Sequence, residues 1–385
     1  MKKRFIGIML SLSLVTSAFA ACDSAAPTPG GATVSGGDGP VRIAVAAPMT
    51  GDNAEYGQGF RNAVQMQAAI WNEAGGILGR QVEVVVFDDV NSSEEAAAIA
   101  QRIVAEGDIV GVIGHFTSGV AMTAAPTYNE NKVINISPSA SHPDFSGIGE
   151  FIFRNNTVIH VEAAAGLDIA VTDLGVSNIG IVSIMTEWGD STSAIVTELI
   201  GGIPNANLVG HERVMEDALD LNAAITTLEA AGAEAIICVS MHPTLSLLAT
   251  QYQPVNPNIH IIGFSNAYTQ GLIELAGVAA NGIRFPVSFF ADSPDQVVRD
   301  FVEGYIAEFG YSPSALTAQA FDSAGWLLTA IQAAGTTDGQ TVRDTLINTP
   351  YTGAAGSVEF SENGDVVRDF FRVLVQGEEF IQTYP

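Results

Sequence analysis

From Val41 onward, short β-rich apolar runs alternate with longer stretches of helical periodicity. That alternation restricts the chain to βαβ units built around parallel sheets. Strands are expected at Val41–Ala47, Val82–Phe87, Ile109–Ile113 and Val133–Ile136. A second set is expected at Ile179–Ile184, Leu208–Val214, Ala235–Val239 and Ile259–Ile262. Most of these are unbroken apolar runs, as strands covered by helices on both faces require. Between them, Tyr56–Asn72 carries Phe60, Ala63, Val64 and Trp71 at helical spacing, and Glu94–Glu106 and Val161–Asp173 read the same way. Two such sets predict two similar α/β lobes. Asp295–Phe309, Ala315–Ala334 and Gln340–Ile347 then predict three successive helices, with closing strands near Gly356–Phe360 and Phe370–Val375.

The N-terminus obeys a different pattern. Lys2, Lys3 and Arg4 precede the uncharged stretch Phe5–Ala21, which has the length and flanks of a secretory signal rather than of a membrane span. The run Ala18-Phe19-Ala20-Ala21-Cys22 resembles the lipobox of bacterial lipoproteins. The resemblance implies removal of 1–21 and acylation of Cys22, although cleavage after Ala20 also satisfies the small-x-small rule. Asp23–Gly39 is rich in Gly, Ser, Ala, Pro and Thr and lacks apolar periodicity, so 22–40 reads as lipidated cysteine plus flexible tether. The expected location is the outer face of the cytoplasmic membrane, or the periplasm without lipid. Contact with the membrane is expected only through that anchor.

About 345 residues remain, enough for two domains with their own cores. Setting aside the three signal-segment bases leaves 12 Lys+Arg against 42 Asp+Glu, a net of −30. Such a surface repels nucleic acid and anionic lipid, which excludes both as partners. Cys238 lies within the apolar run Ala235–Val239, so a buried structural role is expected and no disulfide framework exists.

In open α/β sheets a ligand sits beyond the carboxyl ends of the strands. After Ile109–Ile113 comes Gly114-His115-Phe116-Thr117-Ser118-Gly119, where Ser118 reads as the N-cap of the next helix. A hydroxyl beside free amide hydrogens suits a carboxylate. The following strand ends in Ser137-Pro138-Ser139-Ala140-Ser141-His142-Pro143, a rigid loop rich in hydroxyl donors beside the first. Together the two loops form a carboxylate cradle.

The run Arg42 to Gly51, then Tyr56-Gly57, then Asn72 to Arg80, then Phe87-Asp88-Asp89, resembles the opening of the branched-chain amino-acid binding proteins of ABC importers. Gly114-His115 with Ser118 and the Ile136-Ser137-Pro138 loop follow in the family's order, and Ala320-Phe321-Asp322-Ser323-Ala324 resembles its later Tyr-Asp-Ala segment. The resemblance implies the type I periplasmic-binding fold, two Rossmann-like lobes joined by three crossing segments that close around a hinge. It implies one lobe from 41–158 plus 289–363 and another from 159–288 plus 364–385. It also implies a permease and ATPase complex as partner and a small carboxylate, an amino acid foremost, as ligand. Ser118 then matches the serine that binds the carboxylate. Ser139, Ala140 and Ser141 match the adjoining contact loop. Tyr56 matches a first-lobe aromatic, and Trp188 the second-lobe aromatic that closes over the ligand.

Departures from the family's pattern bear on the ligand. Relatives place an acid after Ile259–Ile262 to pair with the ammonium, whereas this chain has Ser265. Burying an unpaired ammonium costs several kcal/mol. Either another acid, such as Glu187 or Asp190, serves, or the ligand has no amino group. Met241 and His242 stand where relatives carry tyrosine, and Ala318 where they carry an aromatic residue, which implies a roomier, less polar pocket. Asn91 and Thr117 occupy positions that some relatives bridge with a disulfide.

Enzyme chemistry lacks its groups. The chain has no Gly-x-Ser-x-Gly elbow, no phosphate loop ending in Gly-Lys and no His-Glu-x-x-His or Cys-x-x-Cys spacing, so no catalytic residue, cofactor or metal is expected. His115 is expected at the cleft rim as a structural hydrogen-bond donor, and His160 as a helix cap. Asp88 and Asp89 read as a solvated turn. A ligand sensor serving a signalling partner and a receptor for an amino-free carboxylate or amide remain the alternatives.

Overall fold

Continuous apolar runs become the centre of each sheet. The first contains β1 (Val41–Ala47), β2 (Val82–Asp88), β3 (Ile109–Gly114), β4 (Ile134–Ser137) and β5 (Ile152–Arg154). Its order is β2-β1-β3-β4-β5, every pair parallel. The second contains β6 (Asn178–Ile184), β7 (Asn207–Val214), β8 (Ala235–Val239), β9 (His260–Ile262) and β10 (Arg284–Val287) in the order β7-β6-β8-β9-β10. Both sheets therefore share one winding, with the order reversing beside β1 and beside β6, where ligands of open α/β sheets bind. The expected strands form, with bounds shifted by a residue or two, as the fraying of element ends allows. β5 and β10 were not expected. Both are only three or four residues long, and β10 contains Pro286.

In this computed structural model the described residues are 39–358, 365–366 and 368–384, all within one compact unit. The expected signal segment, Cys22 and the tether up to Asp38 lie outside them.

Helices α1 (Ala54–Glu73), α2 (Ser93–Glu106) and α3 (Ser118–Glu130) serve the first sheet. α4 (Ile159–Asp168), α5 (Glu187–Gly202), α6 (Asn222–Ala230), α7 (His242–Tyr252) and α8 (Gln270–Ala276) serve the second. The stretch expected as one helix to Asp173 instead ends in a π turn, Ile169–Asp173. After β10 come α9 (Gln296–Phe309), α10 (Ala315–Ala334) and α11 (Gly339–Leu346), and α10 packs back against α1, β3 and β4 of the first sheet. Ser314 starts α10 by accepting the Thr317 amide hydrogen at 3.2 Å, and Gly335 ends it with φ 67°, a value that favours glycine.

A hairpin follows, β11 (Tyr351–Gly353) with β12 (Gly356–Val358). β13 (Phe371–Gln376) then joins β10 antiparallel and pairs with β14 (Glu379–Tyr384). β12 and β13 correspond to the expected closing strands, and Glu359 and Phe360 lie outside the described residues. β14 is an addition. Cys238 is fully buried, and burial pushes its thiol up to about 12, so it packs rather than reacts.

The chain passes between the sheets after β5, after β10 and before β13. Buried amides tie these passages together: Asn155 Nδ2 donates to Gln319 O at 2.9 Å, and Gln319 Nε2 donates to Ser288 Oγ at 3.1 Å. Arg368 from the third passage donates to Asn155 Oδ1.

Candidate functional site

The loops after β3 and β4 meet as the sequence pattern requires, yet the cap lies one residue earlier. Thr117 is the N-cap of α3 and Ser118 its first helical residue, which corrects the N-cap placement of Ser118. Ser118 Oγ accepts the amide hydrogens of Ser141 and His142, each at 3.3 Å, and so stitches the two loops together. Ser139 Oγ donates to Phe116 O at 2.5 Å. The Ala140 amide donates to Ser137 Oγ at 3.0 Å, and its side chain is fully buried.

Ser139, Ser141, Trp188, Met241 and Ser265 line one pocket between the sheets. Trp188 sits at the start of α5, where its Nε1 donates to Ser141 Oγ at 3.1 Å and its ring meets Phe264 edge-on. Hydroxyls of the first sheet's loops thus face an aromatic and a thioether of the second. Ser118 and Ala140 lie behind this lining rather than in it.

Tyr56 also stands apart from the lining. Its ring stacks on Phe116 with centroids 4.3 Å apart, and Phe116 does line the cavity. The Tyr56 hydroxyl donates to Asn266 O at 2.8 Å and lies 3.0 Å from His242 Nδ1, a contact between the two halves. Tyr56 lines a neighbouring pocket with Tyr268, Tyr311 and Thr317. Burial pushes His242 down to about 4, so its ring is neutral at ordinary pH.

Six further residues complete the lining: Phe116, Thr117, Asn156, Glu162, Asn266 and Leu316. Glu162 matters most. It lies in the first turn of α4, is 3% exposed, and accepts the Ser265 amide hydrogen at 2.5 Å. Burial pushes its carboxyl up to about 7. No motif marks it, but the phase of Ile159, Glu162, Ala163 and Gly166 places it on the buried stripe of its helix. By contrast Glu187 pairs with His142 at 3.0 Å and Asp190 pairs with Arg213, so both expected acids are engaged elsewhere.

Other residues depart from expectation. His115 is fully buried rather than at a rim: its Nδ1 lies 2.6 Å from Asp89 Oδ2 and its Nε2 lies 3.1 Å from the Tyr128 hydroxyl. Asp88 and Asp89 are not a solvated turn either. Asp89 is fully buried, and Asp88 accepts from Met49 N, Thr50 Oγ1 and Val90 N. His160 caps nothing, because α4 starts after Val158 without a side-chain cap. Thr117 Oγ1 donates to Asn91 Oδ1 at 2.8 Å, a polar bond between the loops after β2 and β3. Among the described residues no cluster of His, Cys, Asp and Glu could hold a metal, and no helix is long and apolar enough to cross a membrane.

Comparison with known proteins agrees with this geometry. The chain is 25% identical over 329 residues to a Leu/Ile/Val-binding protein homolog of Brucella abortus, spanning 84% of this chain and 87% of that protein. It is 27% identical over 336 residues to an amino acid binding protein of Pseudomonas aeruginosa, spanning 85% and 87%. The crystal structure of a leucine-binding protein from Thermotoga maritima superposes with a TM-score of 0.82 at 25% identity, covering 89% of this chain and 98% of that one. A family model described as periplasmic binding protein matches residues 40–378. With that match covering both sheets and the cleft between them, the chain belongs to the periplasmic binding protein family.

Proposed function

We propose that the chain is an extracytoplasmic solute-binding lipoprotein of an ABC importer, holding a small carboxylate ligand, a branched-chain or other hydrophobic amino acid, between two lobes that close on it. The observation that carries this reading is the lining of the pocket, with the Ser139–Ser141 loop on one side and Trp188 and Met241 on the other.

In this reading the carboxylate lies against the loops stitched by Ser118, and the side chain lies against Phe116, Leu316, Trp188 and Met241. Ser265 offers a hydroxyl, and Tyr56 supports the wall through Phe116. The lobes are 41–158 plus 289–363 and 159–288 plus 364–385, with the three passages as hinge. Cys22 carries the lipid, and a permease with its ATPases is the partner. Relatives named for binding Leu, Ile and Val support the ligand class. The neutral Ser265 favours a second reading, a receptor for an amino-free carboxylate.

A thermal-shift screen of amino acids and amino-free carboxylates tests the proposal. Micromolar binding, about 8 kcal/mol, raises the melting temperature at millimolar ligand. No shift with any small carboxylate would overturn it.

A further inference from the structure

Among the described residues Glu162 is the only ionisable side chain lining the pocket, and it is almost completely buried. A carboxylate near a helix N-terminus is favourable at the surface, but a surface role does not require burial. Among the described residues its hydrogen bonds are to the amide and hydroxyl of Ser265. An ionised carboxylate so placed is costly unless a cation meets it. We propose that Glu162 neutralises a cationic amine on the ligand, so that the cleft selects zwitterionic α-amino acids over amino-free carboxylates. The proposal rests on the reading of this cavity as the carboxylate-ligand site.

The carboxyl stands against Ser265, on the loop that follows β9, and reaches it from α4 instead of from the loop itself. A carboxyl at one end of the pocket and the hydroxyl-bearing Ser139–Ser141 loop at the other suit a ligand bearing both signs. A free acid would meet like charge at Glu162 whenever that group is ionised. Of the charged groups on α4 and on the elements packed against it, His160 and Glu198 are exposed, Asp173 pairs with Arg372, and the others are engaged elsewhere. Glu187 of α5 pairs with His142, Asp190 of α5 with Arg213, and Arg284 of β10 bonds Gly282 O. On α4 itself, Asp168 pairs with Arg372. With Glu162 titrating at about 7, ligand preference follows its charge.

The test is calorimetry with L-leucine and its des-amino analogue, 4-methylpentanoate, on full-length protein and on Glu162→Gln, which retains an acceptor for the Ser265 amide. In the wild type, leucine binding should strengthen by about tenfold from pH 6 to pH 8 while 4-methylpentanoate binding weakens by a similar factor. Glu162→Gln should lose about a hundredfold in leucine affinity, gain affinity for 4-methylpentanoate and lose both pH dependences. Leucine binding unchanged in Glu162→Gln, or pH-independent in the wild type, overturns this role alone. Failure of the wild type to bind either ligand or any other small carboxylate overturns the carboxylate-site reading and this role with it. The wild-type pH series decides the matter even if the variant does not fold.

Discussion

Trp188 Nε1 donates to Ser141 Oγ at 3.1 Å, joining the start of α5 to the loop after β4 across the cleft. A neutral hydrogen bond of this kind contributes about 1 kcal/mol. Trp188→Phe keeps a ring against Phe264 but removes the donor, and should weaken ligand binding by about that amount. Trp188→Ala also removes the wall of the cavity and should cost about 2 kcal/mol or more. Titration calorimetry on both variants separates the bond from the ring.

Ser118 makes its contribution from behind the lining. Its hydroxyl accepts two amide hydrogens, so Ser118→Ala frees the Ser141 and His142 amides and loosens the loop that faces the ligand. The loss should weaken carboxylate binding by about 1.5–3 kcal/mol without unfolding the protein. An unchanged isotherm would remove Ser118 from the site.

The share of ligand-free stability that Glu162 contributes should fall as pH rises. Glu162 titrates at about 7 in the fold against the ordinary 4.5, so between these values the unfolded chain releases a proton that the native protein retains. Stability from this group is full below about 4.5, declines through about 7 and is flat above, a change of several kcal/mol. Asp322, pushed up to about 7 by burial, contributes with the same sign. His242, held down at about 4, contributes with the opposite sign, so the test is a difference: from pH 5 to pH 8 urea unfolding should show wild-type stability falling relative to that of Glu162→Gln.

The contact of Tyr56 with His242 should not act as a pH switch. Because burial holds His242 down at about 4, the ring stays neutral from pH 5 to 8. Tyr56→Phe leaves Asn266 O without its donor and should weaken ligand binding by about 1 kcal/mol. The penalty should be equal at pH 5.5 and pH 8. A penalty confined to the lower pH would mean that His242 is charged there.

Residues that carry pattern were legible, and residues that depend on tertiary placement were not. Val41–Ala47 is apolar apart from Arg42 and Ala235–Val239 is apolar throughout, and both became central strands with the expected bounds. Ile152–Arg154 has three residues, too few for a period to register, and the four residues of β10 include Pro286, which argues against a strand between two neighbours. The loops of Ser118 and Ser139–Ser141 could be paired because adjacent strands deliver them to one end of the sheet. Glu162 could not be found by motif. It sits between Val161 and Ala163 in a helix whose partner, Ser265, is 103 residues away along the chain. The rim placement of His115 failed for a related reason: Asp89 and Tyr128 enclose it from two other elements.

The crystal structure of the protein grown with L-leucine tests the carboxylate cradle most directly. Ligand density should fill the cavity bounded by Ser139, Ser141 and Trp188, with the carboxylate on the serine loops and the side chain against Met241 and Leu316. Leucine bound outside this cleft, or a cleft packed shut by protein side chains at saturating leucine, would contradict the assignment.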